Sequence, residues 1–335
     1  MKTIKIGAVN YTISNWKDVS DFYIKDHIVS GLIHFSKFKY EYVENPYENE
    51  CDLIFYSTWG DLENLKKCKG SPIFIFWTTE YLNLGTDSII SNMHIESNID
   101  DKQQYEYSKK LFDLYRMNHY SLSFCDDSET NLYYPYWIVE YLFSLHSFSK
   151  SLNSNFRNIA NKRKFCTFIN SHKSYDSTRY DFTKALSSKY KTVTCPGKIL
   201  HNTGEFVLPY NNDLETLYCG DFKFYISFEN GKSLNEFNYI TEKIMRGWQH
   251  GCVPLYWGDN RIINKFFNKD AYVDLSNMTI DQMIDKVIEL DNDNEQCDHI
   301  INQYLFSLDH TPNYTYNYFL TRLSNFIENI IINHF

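Results

Sequence analysis

Short apolar runs recur along the chain at a spacing that leaves room for one helix between neighbours, and this rhythm constrains the fold more than any other feature. In the first half the runs are "TIKIGAV" from Thr3, "KYEYV" from Lys39, "CDLIFYS" from Cys51, "PIFIFW" from Pro72 and "YSLSF" from Tyr120, with helical periodicity near 19–36 and 101–117. Strands separated by helix-length segments favour a parallel sheet with helices on both faces. A polar stretch from Ser147 to Lys164, "SFSKSLNSNFRNIANKRK", then interrupts the apolar periodicity. After it the alternation resumes: strand "KFCTFIN", helix "STRYDFTKALSSKY", strand "TVTC", helix "NNDLETLYCG", strand "FKFYISF", helix "ITEKIMRGWQHG", strand "CVPLYW", then "AYVDL" and helices to the end. Two α/β sheets in series are expected to leave a cleft between them, with ligands outside the carboxyl ends of the strands. The expected divisions are 1–150, 160–310 and a C-terminal helix over 311–335.

Composition narrows the partners. At 335 residues the chain exceeds one typical core, on a prior of roughly 150 residues per domain. A net charge of -9 without a long basic run argues against a nucleic-acid partner. The N-terminus "MKTIKIGAVNYT" is too polar for a secretory signal, and no apolar run reaches the ~18 residues of a membrane span, so the expectation is a soluble, cytoplasmic protein with no integral membrane segment. Eight cysteines are scattered without a C-x-x-C pair, which favours buried free thiols in a reducing compartment.

The densest group of chemistry-bearing residues is "FYISFENGKSLNEFNYITEKIMRGWQHGCVPLYWG" over 224–258. In the strand, Phe222, Phe224, Ile226 and Phe228 share one face, and Lys223, Tyr225, Ser227 and Glu229 the other. Glu229 is thus expected at the strand's carboxyl end, at the cleft mouth. Thr241 is the expected N-cap of the following helix, Ile240, Ile244, Met245 and Trp248 its buried stripe, and Gly251 its stop. Lys243 then lies in the first turn, where free N–H groups and the helix dipole already favour an anion. Glu242 beside it would repel a phosphate unless its carboxylate accepts hydrogen bonds, and a ribose diol is the natural donor. Read from the residues alone, a nucleotide grip competes with a solvated lysine next to ordinary acidic dipole complements.

Phe-Glu-Asn, a polar loop, Tyr-Ile-Thr-Glu-Lys and then Val-Pro-Leu-Tyr-Trp-Gly resemble the donor-site signature of glycosyltransferase family 10, the α1,3/α1,4-fucosyltransferases. "KRKFCTFINSHKS" followed by Arg179 in "STRYDF" is similar to the start of that family's donor domain, "KTVTCPGKILHNTG" to the stretch after its first helix, and "FIFWTTEYL" to the strand ending in a glutamate near its acceptor site. The loop between Asn230 and Tyr239 is longer than the family's usual one. The resemblance implies an α/β fold of GT-B architecture, two Rossmann-like domains facing each other across a cleft. It implies transfer of L-fucose from GDP-fucose to a glycan hydroxyl with inversion, the acceptor being of GlcNAc type and the linkage α1,3.

On that resemblance Glu80 is the expected catalytic base. Arg179 and Lys243 are the expected diphosphate ligands, and Lys198, Asn202, Glu229, Asn230, Tyr239, Thr241 and Glu242 complete the donor site. An inverting transfer needs a base for the acceptor hydroxyl and cationic stabilisation of the departing GDP. The one Asp-x-Asp pair, Asp291 and Asp293, follows a helical run and is expected to be a solvated helix terminus. No obligatory metal or other cofactor is therefore expected, and GDP-fucose enters as a substrate. Two alternatives stay open: a GT-B transferase using another nucleotide sugar, and a catalytically silent carbohydrate-binding relative.

Overall fold

The structure, a computed structural model, describes residues 2–11, 21–57, 61–77, 120–140, 157–171, 176–209, 212–232, 238–307 and 312–335. Contacts divide the chain into two compact units, one built on Met1–Val139 and Tyr316–Phe335, the other on Glu140–Ser233 and Asn238–Thr315. Each holds its own parallel sheet.

In the first unit, strand β1 (Thr3–Val9) leads to a segment wound as a π-helix over Asp21–Val29, which tightens into helix α1 (Ser30–Phe35). Strands β2 (Lys39–Val43), β3 (Leu53–Tyr56), β4 (Ile73–Trp77), β5 (Tyr120–Ser123) and β6 (Asn131–Tyr133) complete a six-stranded sheet of order β2-β1-β3-β4-β5-β6, parallel throughout. The five apolar runs of the first half all form strands. The sixth, β6, was not among them, because it is three residues long and starts with a buried asparagine. Asn131 is satisfied there: its Oδ1 accepts from Ser121 and Ser123 Oγ at 2.7 Å, and its Nδ2 donates to the carbonyls of Cys125 and Asp126. The C-terminal helix (Pro312–His334) packs back on this unit, burying Phe319, Leu320, Leu323, Ile327, Ile330 and Ile331 at helical spacing. It approaches α1 so closely that a Cβ on Gly31 would lie 2.6 Å from Leu320 Cδ2.

The second unit runs β7 (Lys164–Thr167), α2 (Thr178–Lys189), β8 (Val193–Thr194), α3 (Asn212–Cys219), β9 (Phe222–Phe228), α4 (Lys243–Gln249), β10 (Val253–Trp257), α5 (Ile263–Phe266), β11 (Val273–Asp274), α6 (Ile280–Asp291) and α7 (Asn294–Ile301). Its five strands are all parallel in the order β11-β10-β9-β7-β8. β9 is central and buried at every position, as a strand covered on both faces must be. Phe224, Ile226 and Phe228 join Phe182 and Leu186 of α2 and Ile284, Val287 and Leu290 of α6 in one core. The opposite face carries Ser227, over which α4 passes: a Cβ on Gly247 would sit 2.8 Å from Ser227 Oγ and 3.1 Å from Pro254 Cβ, which explains a glycine inside a helix.

Asp291 is not solvated. Its side chain is 8% exposed, Oδ2 accepts from Lys191 Nζ at 2.5 Å and Tyr190 Oη at 2.9 Å, and Lys223 Nζ stands 3.3 Å from Oδ1. Burial opposes ionisation, but the hydrogen bonds from Lys191 and Tyr190 and the charge of Lys223 outweigh it, so the carboxyl sits below its ordinary value. All eight cysteines are free, and six of them are buried. Among the described residues no helix is long and apolar enough to cross a membrane, and no group of three or more His, Cys, Asp or Glu side chains is placed to hold a metal ion.

Candidate nucleotide site

Three consecutive strand ends, those of β9, β10 and β11, supply the floor of the site. The Glu229 N–H continues the β9 ladder by donating to the Trp257 carbonyl at 2.9 Å, and the Gly258 N–H reaches Ser276 Oγ at 3.2 Å. Gly258 has to be glycine, since a Cβ there would meet Tyr256 Oη at 2.5 Å and Glu229 Cγ at 2.7 Å.

Glu229, expected at the cleft mouth, is instead fully buried. Both of its oxygens are used: Oε1 accepts the Thr241 N–H at 2.7 Å and Oε2 accepts the Thr241 hydroxyl at 2.6 Å. Thr241 therefore stands one residue before the N-cap, its hydroxyl donating to Glu229 and accepting the Lys243 N–H only at 3.5 Å. The helix begins at Lys243, with Glu242 in the N-cap position and no side-chain cap, because a buried carboxylate is the stronger partner for the threonine hydroxyl. The expected stripe of Ile240, Ile244, Met245 and Trp248 is buried, and Gly251 ends the segment with φ 65.

Lys243 Nζ lies 3.6 Å from Glu229 Oε2, 3.6 Å from Glu242 Oε1 and 3.1 Å from Thr241 Oγ1, with 22% of the side chain exposed. Its side chain gives this cluster a positive charge that is partly exposed to solvent. Burial pushes the Glu229 carboxyl up, against the opposing pull of Lys243 and Thr241. For Glu242 burial acts the same way, but Lys243 and Arg246 outweigh it and hold the group below its ordinary value.

Asn230, the next residue along, meets Arg179. The guanidinium, 3% exposed on the first turn of α2, donates from Nη1 to Asn230 Oδ1 at 2.8 Å and from Nη2 to Tyr180 Oη at 3.1 Å. Tyr180 Oη also accepts from Asn170 Nδ2 at 3.2 Å. Asn170 in turn fixes the loop after β8: its carbonyl accepts the Ile199 N–H at 3.0 Å and would lie 2.4 Å from a Cβ on Gly197. Two consecutive residues at the end of β9 thus tie together two cations from different helices.

The remaining expected residues separate. Asn202 uses its amide inside its own loop, accepting from the Cys195 N–H at 2.7 Å and donating to the Val193 carbonyl at 2.8 Å. Lys198 is exposed on the same loop, and Tyr239 is buried. Glu80, with Thr78 and Thr79, lies outside the described residues. Gly258 closes the signature quoted from the sequence, whereas sequence reasoning did not single out Asn170 and Tyr180 as parts of the site.

Two all-parallel α/β units, the second ending its central strand in a cationic strand-to-helix junction, define the GT-B fold of glycosyltransferases. A solved α1,3-fucosyltransferase shares it with a TM-score of 0.68 at 19% identity, over 99% of this chain and 91% of that one. The same fold bound to GDP-fucose matches at TM-score 0.64 and 18% identity, with the same coverage of each chain. Anabaena Alr3699/HepE in complex with UDP and glucose matches at 0.51 and 9% identity, over 98% of this chain and 100% of that one. Residues 159–316 match the model of the C-terminal domain of glycosyltransferase family 10 (fucosyltransferase). The Helicobacter pylori alpha-(1,3)-fucosyltransferase FucT is 27% identical over 174 residues, 51% of this chain and 34% of that protein. A protein of Acanthamoeba polyphaga mimivirus is 29% identical over 194 residues, 55% of this chain and 30% of its own length. The matches thus cover about a third of the length of these curated relatives.

Proposed function

We propose that the protein is an inverting fucosyltransferase that moves L-fucose from GDP-fucose to a hydroxyl of a glycan acceptor. The observation that carries this reading is the pairing of Arg179 with Asn230 and of Lys243 with Glu229 on consecutive residues at the end of β9. Diphosphate is the ligand such a pair of cations suits. Glu242, held ionised beside Lys243, accepts hydrogen bonds from the ribose hydroxyls.

In this reaction an acceptor oxygen attacks the anomeric carbon while the bond from that carbon to the diphosphate oxygen breaks. The acceptor proton passes to Glu80, and the electron pair leaves with GDP, whose growing charge Arg179 and Lys243 stabilise. Two protein cations already serve the leaving group, so turnover is expected to survive EDTA. The acceptor is of GlcNAc type and the linkage α1,3 on this reading.

A thermal-shift panel tests the donor assignment. GDP and GDP-fucose are expected to raise the melting temperature, and UDP and ADP to leave it unchanged; preference for UDP would transfer the protein to another donor class. Glu80→Gln is expected to bind GDP like the wild type and to lose transfer, whereas retained turnover would remove Glu80 as the base.

A further inference from the structure

The proposed site carries an electrostatic difficulty. Beside Lys243 lie Glu229 and Glu242, and behind them, on the same side of the sheet, lie Glu215 on α3 and Glu140. A diphosphate brought to Lys243 would face these carboxylates. A second cation answers the two behind. Arg246, one helical turn after Glu242, puts Nη2 3.6 Å from Glu140 Oε1 and Nη1 3.8 Å from Glu215 Oε2, and its backbone N–H donates to the Glu242 carbonyl at 3.0 Å. Its side chain is 16% exposed. Glu215 is itself anchored by Tyr225 Oη at 3.1 Å and His250 Nε2 at 3.1 Å, and His250 Nδ1 lies 3.1 Å from Thr216 Oγ1, so the anion that fixes Arg246 is held from β9 and from the end of α4.

We propose that Arg246 is a positioning residue of the nucleotide site: a single cation shared by Glu140, Glu215 and Glu242 that keeps the Glu242 carboxylate available to the ribose and leaves Lys243 to the diphosphate. This rests on the nucleotide reading of the site. Without Arg246, Lys243 must by itself, among the described residues, offset Glu242 as well as Glu229, and it is drawn away from the ligand. Two lines on the structure agree. Glu242 to Arg246 is an i, i+4 pair with the acid nearer the helix start, the favourable order. The charge of Arg246, together with that of Lys243, also overcomes the burial that would otherwise raise the Glu242 carboxyl.

The groups facing Glu242 are Thr241 and Lys243 on its own segment, Arg246 on the next turn and, through Lys243, Glu229 at the end of β9; Glu140, Glu215 and His250 face Arg246 from behind. GDP binding measured by titration calorimetry, in wild type, R246Q, R246K, E242Q and the double variant R246Q/E242Q, tests the idea. R246Q is expected to weaken GDP about tenfold, the scale of one charge-assisted contact, and R246K to recover most of it. In the E242Q background the same R246Q change is expected to cost little, because the carboxylate it serves is gone. The pH profile adds a readout that a bracing role would not move. In R246Q the Glu242 carboxyl titrates higher, so GDP affinity falls on acidification at a higher pH than in wild type. Equal losses in both backgrounds, with an unshifted pH profile, would reduce Arg246 to a structural brace and overturn the proposal. Failure of the wild type to bind GDP at all would instead overturn the nucleotide reading beneath it.

Discussion

Glu229 shows how one residue type can be recognised in a sequence and still be given the wrong place. Its position after an apolar strand and before a lysine marked it as part of the site, but alternation along the strand could not say that its carboxylate would turn inward and take both hydrogen-bonding groups of Thr241. Removing it strands a buried N–H and hydroxyl and a nearby ammonium. Glu229→Ala is therefore expected to cost about 3 kcal/mol in chemical denaturation, and Glu229→Gln less than half of that, since the amide can still pair with Thr241. Equal losses would show that the hydrogen bonds do not matter. Lys243→Ala is expected to weaken GDP by about 1.5–3 kcal/mol, the range for a bond to a charged group, and to lower the melting temperature as well, because the buried Glu229 carboxylate loses its cationic partner.

At the scale of elements, what was legible follows from periodicity. The α4 stripe of Ile244, Met245 and Trp248 and the stop at Gly251 could be read because burial on one helical face repeats in the sequence. The three-residue strand β6 could not, because its hydrogen-bonded Asn131 breaks the apolar pattern. The N-cap was expected one residue early for a related reason: Ile240 is buried like a helical residue, while Thr241 is held by Glu229 at 2.6–2.7 Å and receives the Lys243 N–H only at 3.5 Å. Gly258 is where strand β10 and the Glu229 side chain meet, and Gly258→Ala would force one of them to move. A loss of about 1–3 kcal/mol in stability is expected, together with weaker GDP binding; a variant with wild-type melting temperature and affinity would show that the strand end is looser than its contacts imply.

For the whole molecule, the alternation of strands and helices foretold two parallel sheets, but not that the last helix would return to the first unit, because that depends on long-range packing between Leu320 and Gly31. Deleting 312–335 uncovers Phe319, Leu320, Leu323 and Ile327 from that unit's core and is expected to yield insoluble protein; a soluble, cooperatively folding truncation would contradict this packing. The second unit has its own acid limit. Asp291 titrates below its ordinary 3.8 when folded, so its contribution is full above that value and is lost as pH falls through the lower folded one. Asp291→Asn is accordingly expected to be less stable than wild type by about 2 kcal/mol at pH 7, with the gap closing in denaturation curves taken below 3.8; a gap that stays constant with pH would mean that the charge is not what Lys191 and Lys223 hold. The β9–α4 part of the candidate site could be read from residue types gathered on one segment, whereas Asn170 and Tyr180, which support it, come from separate elements that only the fold brings together. The central claim, transfer of fucose from GDP-fucose, is tested most directly by incubating the protein and labelled GDP-fucose with a glycan array. Label fixed on GlcNAc-containing glycans with release of GDP is the predicted result, and label fixed from a UDP-sugar but not from GDP-fucose would contradict it.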